Sequence, residues 1–298
     1  MKRRDFAINS VAAASLATLP LASLAQKRKD AVVLGMTLEP TGLDPTAGAA
    51  SAIAEIVQYN VFETLTKVNS DGSVTPLLAE SWEVSPDLKT YTFKLRKGVK
   101  FQNGEPFNAN TVKFSFERAA GEKSTNKDKR TFASMERVGV VDEHTVVVIN
   151  KELNPDFLFL MGQATAILVE PKSADTNATK PVGTGPYRLE NWSKGSSVVL
   201  VKSPTFRNPG LAKLNKVTFR FISDPAAQAA SLLSGDVDAC PRAATRIVPQ
   251  FRANAGFQVI LGGSRAKTIV AINSKKKPLD DARVRRAILA AIDRKAFI

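Results

Sequence analysis

Between Thr75 and Glu117 the chain reads TPLLAESWEVSPDLKTYTFKLRKGVKFQNGEPFNANTVKFSFE, and the spacing of its apolar residues dictates a change of structure partway along. Tyr91, Phe93 and Leu95 alternate with Thr92, Lys94 and Arg96. That period of two places the apolar set on one face of a strand and the polar set on the other. Further on, Asn108 or Asn110 is placed to cap a helix carrying Val112, Phe114 and Phe116, although those three do not form a clean helical stripe. Trp82, Phe93, Phe101 and Phe116 are expected in the core, because aromatic side chains are buried more often than they are functional.

Eight landmarks follow one another in this stretch: Leu78-Ala79-Glu80-Ser81-Trp82, Pro86-Asp87, the alternating Tyr91/Phe93/Leu95, Leu95-Arg96, Gly98-Val99, Phe101, Gly104 and Val112. Together they resemble the signature of the family 5 extracytoplasmic solute-binding proteins, which feed peptide, glutathione and nickel ABC importers. Gln102-Asn103 stands where that family commonly has His-Asp, and Thr111 where it commonly has an acid. Further landmarks are Phe62-Glu63-Thr64-Leu65, Pro181 to Tyr187, Asp224 to Asp238, and Pro278 to Arg294.

The resemblance implies an α/β fold of the periplasmic binding protein type (class II, cluster C). Lobe I would be discontinuous, residues 26–68 and 182–262, with domain II at 69–181 inserted and lobe III beginning at 263. Family members run on well past the last landmark, whereas this chain stops at Ile298. The expectation is therefore a truncated member with lobe III incomplete, marginally folded and poor at binding by itself.

The first residues are read as a signal peptide. Lys2-Arg3-Arg4 precedes the small apolar run Ala7–Leu24, and Ser23-Leu24-Ala25 offers a cleavage site, so residues 1–25 would be removed and the mature chain would begin at Gln26. Asn9, Ser10, Ser15, Thr18, Pro20 and Ser23 interrupt the run, which argues against a membrane span. Arg3-Arg4-Asp5-Phe6 also resembles a twin-arginine core, but Ala7-Ile8 lacks the usual continuation, so the Sec and twin-arginine routes both stay open. A periplasmic location is expected.

The formal charge is +14, or +12 once residues 1–25 are removed. After the signal, only Lys27-Arg28-Lys29 and Lys275-Lys276-Lys277 form runs of three, so the excess reads as a solvated surface and no nucleic-acid partner is expected. Chemistry finds little support. His144 and Cys240 are the sole residues of their kinds, and there is no nucleophile elbow. Asp236/Asp238 and Asp280/Asp281 are read as strand and helix-start residues, and a lone Cys240 as a small packed side chain. The alternatives to a binding protein are a secreted hydrolase using residues far apart in the sequence and a peptide-binding chaperone or sensor on the same fold.

Elsewhere, strands are expected at 31–36, 138–141, 145–149, 187–192, 198–202 and 216–222, with a short one at 236–238. Ala52 to Val61 reads as a helix, and so does the segment after Asp224, with Ala229, Leu232 and Leu233 on its buried face. Gly183 and Gly185 are read as permitting close backbone approach at a crossing between domains. By resemblance, ligand contacts fall at Ala49, Ala50 and Ser51 and at Pro241, Arg242 and Ala243, with Arg130 as a further candidate. Arg242 could grip a carboxylate through its planar fork. The implied partners are a small peptide-like ligand and the membrane ABC permease subunits, for a monomer without metal or other cofactor.

Overall fold

The computed structural model describes residues 30–262 and 269–297. The signal peptide expected at 1–25 lies outside them. Two compact units follow one another, divided after Ile247. Ten strands are present among the described residues: β1 (Ala31–Met36), β2 (Thr66–Val68), β3 (Val74–Pro76), β4 (Ala79–Val84), β5 (Thr90–Leu95), β6 (Met135–Asp142), β7 (Thr145–Asn150), β8 (Tyr187–Ser193), β9 (Ser197–Lys202) and β10 (Lys216–Phe221). The helices of the first unit are α1 (Ser51–Val57), α2 (Ala109–Ala120), α3 (Lys129–Ala133), α4 (Phe157–Leu160) and α5 (Pro225–Ser234).

The strands form two four-stranded sheets and a hairpin. In the first sheet, ordered β1-β10-β9-β8, β1 runs parallel to β10 with Ala31 opposite Lys216 and Met36 opposite Phe221, and the other pairs are antiparallel. The second, ordered β4-β5-β7-β6, is antiparallel throughout. The alternation in β5 is realised: Tyr91, Phe93 and Leu95 are buried, and the rings of Phe93 and Tyr91 meet Phe157 of α4. Asp142-Glu143-His144 closes the β6–β7 hairpin, where Asp142 Oδ1 accepts the His144 N–H at 2.8 Å.

Helix α2 starts where Asn108 caps it. Asn108 Oδ1 accepts the N–H groups of Asn110 and Thr111, while Thr111 Oγ1 accepts the Asn108 N–H in return. Its Val112 and Phe116 lie in the core of the second sheet. Phe114 packs instead against the core of the first sheet. Those three positions thus make no single stripe because the helix serves two cores.

Between the sheets the chain crosses at Gly183 and Gly185. A Cβ on Gly183 would run into the Val61 carbonyl, and one on Gly185 into the Asn60 carbonyl, so only glycine permits this approach. Gln102 ties the crossing together: its Nε2 donates to the Tyr187 carbonyl at 2.7 Å and its Oε1 accepts the Gly183 N–H at 3.1 Å. Two ion pairs are sunk in the first unit, one of them tied to this crossing. Arg207 forks onto both oxygens of Glu63, which also accepts from Thr184 Oγ1, and Arg118 of α2 reaches Asp44 at 3.3 Å.

Three expectations need correction. Helix α1 ends at Val57 rather than Val61, because Tyr59 turns to φ 60 and directs its hydroxyl onto the Gly162 carbonyl at 2.6 Å. On α5 the buried positions are Gln228 and Ala229, whereas Leu233 is exposed. Gln228 is held inside by donating to Thr37 Oγ1 and the Ile222 carbonyl. The strand expected at 236–238 reduces to an isolated bridge between Leu34 and Ala239. There Asp238 Oδ2 takes the Val33 N–H that a longer ladder would have used.

The second unit contains α6 (Val248–Arg252), α7 (Ala282–Ala291) and α8 (Arg294–Phe297). Asp281 caps α7 by accepting the Arg283 N–H at 2.8 Å. No side chain of α7 is buried, and Ile260, Leu261, Ile269 and Val270 are exposed.

Candidate ligand-binding site

The strongest candidate lies at the carboxyl end of β1, where an open sheet with parallel strands leaves space for a ligand. A cavity of about 270 Å³ is lined there by Gly35, Met36, Thr37, Leu38, Glu55 and Arg242. Gly35 and Met36 end β1 and Thr37 and Leu38 follow it, Glu55 comes from α1, and Arg242 from the segment that bridges to β1 at Ala239.

Hydrogen bonds set the loop carrying Arg242. The Gly35 N–H donates to the Ala239 carbonyl at 2.8 Å, and Thr37 Oγ1 donates to the Arg242 carbonyl at 3.3 Å. Cys240 packs beneath: a Cβ on Gly35 would stand 2.8 Å from its Sγ. Burial pushes the Cys240 thiol above its ordinary range, offset in part by a hydrogen bond with the Gly35 backbone. The thiol is therefore a packing group at neutral pH.

The charged wall is a pair. Arg242 Nη2 lies 2.7 Å from Glu55 Oε1. Such a pair in partial contact with water is worth little to stability, which leaves its charges available for exchange with a ligand.

Of the residues expected from sequence, Arg242 alone lines this cavity, with Pro241 and Ala243 exposed beside it. Ala49, Ala50 and Ser51 lead into α1, with Ala49 and Ser51 exposed and Ala50 partly buried. One turn further on, Glu55 of α1 pairs with Arg242. Arg130 is an exposed residue of α3 and does not line the cavity. Glu55, Thr37 and Leu38 were not anticipated. Glu55 did carry a signal, as the one charged residue in the otherwise apolar and small SAIAEIV of α1.

Two other hollows are less suited to a solute. One of about 460 Å³ is bordered by Thr46, Arg118, Lys123 and Asp175, but its Arg118 is already committed to Asp44. The other, about 260 Å³, lies between α2 and β6. Among the described residues no three His, Cys, Asp or Glu side chains gather as a metal site, and no helix is long and apolar enough to cross a membrane.

The chain is similar to known binding proteins over most of its length. It is 29% identical over 294 residues to the glutathione-binding protein GsiB of Escherichia coli K12, an alignment covering 97% of this chain and 57% of that one. The chain thus spans little more than half the length of the curated relatives it matches. Among solved structures, MoaA from A. tumefaciens R10 in complex with mannopinic acid superposes with a TM-score of 0.78 at 26% identity, over 90% of this chain and 56% of that one. The murein tripeptide binding protein MppA of Escherichia coli superposes with a TM-score of 0.81 at 24% identity, over 90% and 57% of the two chains. The sheets and helices are those of the periplasmic binding proteins. Residues 73–298 match the middle region of the bacterial extracellular solute-binding proteins, family 5, and the chain belongs to that family.

Proposed function

We propose that the protein captures a peptide-like solute, a dipeptide, an oligopeptide or glutathione, in the periplasm and delivers it to the permease subunits of an ABC importer. The observation that carries this reading is the cavity at the end of β1, bounded by Arg242 and Glu55, in a chain of the solute-binding family. An extended ligand held partly by its main chain fits a site lined in part by Gly35, where backbones can approach closely.

In this reading residues 26–68 and 182–262 form lobe I, residues 69–181 form domain II, and residues 263–298 belong to lobe III. The signal peptide directs export and is removed after residue 25, and the binding protein acts as a monomer. Binding proceeds without turnover. The relatives described above are named for what they bind, and the cavity pairs its acid with a base instead of a second acid or a nucleophile.

Isothermal titration of the full-length protein with di-, tri- and oligopeptides and with glutathione, followed by chromatography of the ligand, tests the proposal. Saturable binding with the ligand recovered intact is expected. Recovery of a cleaved or otherwise converted ligand would replace it with the hydrolase reading.

A further inference from the structure

The cavity at the end of β1 has one acid and one base on its charged wall rather than a lone cation. The Arg242 side chain is 64% exposed and that of Glu55 24% exposed. Although Arg242 Nη2 stands 2.7 Å away, Glu55 Oε1 is closed off from solvent and has no aligned hydrogen-bond partner. The pair is held by charge.

Charge balance then restricts what can enter. A simple anion would draw Arg242 toward itself and strand a largely buried carboxylate, while a simple cation would take Glu55 and leave the arginine unpaired. Stranding a charge costs more than the original pair contributed. A ligand carrying both charges close together exchanges one pair for two and strands neither.

We infer that the ligand presents an α-amino-acid head group to this wall, its ammonium on Glu55 and its carboxylate on Arg242. The inference rests on the solute-binding reading above and narrows it. Both charges sit on one carbon in such a head, matching two side chains already in contact. In a linear peptide the termini are separated by at least one residue, about 3.3–3.6 Å of chain each, so one terminus would be left without its partner. Met36 and Leu38, on the same lining, suit the methylene stem that follows the head. Glu55 is accordingly a specificity-determining residue along with Arg242.

Glutathione carries such a head because its glutamyl residue is linked through the side-chain carboxyl. Titration of the full-length protein compares glutathione, its N-acetyl derivative and its isomer linked through the α-carboxyl. Glutathione should bind about tenfold or more tightly than either, the loss of a hydrogen bond to a charged group. Glu55→Gln should abolish the penalty for acetylation and Arg242→Gln the penalty for the isomer, with both variants still folded by circular dichroism. Equal affinities for the three ligands, or penalties that persist in the variants, would overturn the inference and leave the solute-binding proposal standing. Failure of every peptide-like ligand to bind would overturn both.

Discussion

Arg207 and Glu63 stand 144 residues apart in sequence, yet the guanidinium forks onto both oxygens of the carboxylate, and Glu63 is only 3% exposed. Thr184, from the glycine crossing, donates to the same carboxylate at 2.9 Å. One buried acid therefore gathers the start of the hairpin region, the crossing and the loop after β9.

Removing the base leaves that acid buried and unpaired. Arg207→Ala is expected to destabilise the protein by about 3–5 kcal/mol. Lys113→Ala, which breaks an exposed pair with Glu117, should cost no more than about 0.5 kcal/mol. Urea unfolding of both variants beside the parent checks this, and similar midpoints for the two would show that burial does not govern the difference.

Gly183→Ala tests the crossing. Its new Cβ meets a backbone carbonyl, which cannot swing aside as a side chain can, so the loss should reach or exceed the roughly 1–3 kcal/mol typical of overpacking. Gly210→Ala serves as the reference, since a Cβ there would meet only Asn208 Oδ1 at 3.6 Å, and its effect should stay within about 0.5 kcal/mol. Thermal melts of the pair decide the matter.

At the floor of the candidate site, Gly35→Ala should force Cys240 and the segment carrying Arg242 outward and weaken ligand binding. Adding Cys240→Ala makes room for the new methyl. The double variant should recover most of the lost affinity, by about 1 kcal/mol or more of coupling for residues in contact. If the double variant binds no better than Gly35→Ala alone, the packing of Cys240 under the cavity does not control the site.

Burial raises the Cys240 thiol in the folded state, so folding favours its protonated form. The resulting stabilisation is fully present below the ordinary thiol value of 9.0 and is lost as pH rises through the higher folded value. Melting temperature should therefore fall more steeply above pH 9 in the parent than in Cys240→Ala. Alkylation by iodoacetamide at pH 8 should be slower for the native protein than for the protein in urea. Equal alkylation rates would contradict the burial argument.

Much of this fold could be read from residue spacing. The limits of β1, β5, β7, β8, β9 and β10 follow short apolar runs or alternations bounded by turns, which are local signals. The misreadings arose where a distant partner overrode the local pattern. Val61 lies at helical spacing from Val57 of α1, but the helix stops because Tyr59 finds an acceptor at Gly162 more than a hundred residues away. Leu233 fits a helical stripe, yet Gln228 takes the inner position through Thr37, just past β1. The site shows the same division. Arg242 stood out through the landmark before it, whereas Glu55 becomes meaningful only when α1 and the 241–243 segment are seen side by side. Ala49 to Ser51 and Arg130 are not gathered into the cavity.

The parallel pairing of β1 with β10 also sets an order of events during synthesis. The second sheet draws its four strands from one continuous stretch, residues 79–150, and can close as soon as that stretch is available. Strand β1 leaves first but must wait for β10, with Asp30 and Asn215 at the joint 185 residues apart. Pairings of such long range form slowly, because the loop must close before any contact rewards it. Throughout that interval Val32, Leu34 and Met36 form an apolar strand with no neighbour, and a chain-binding chaperone would find a foothold there.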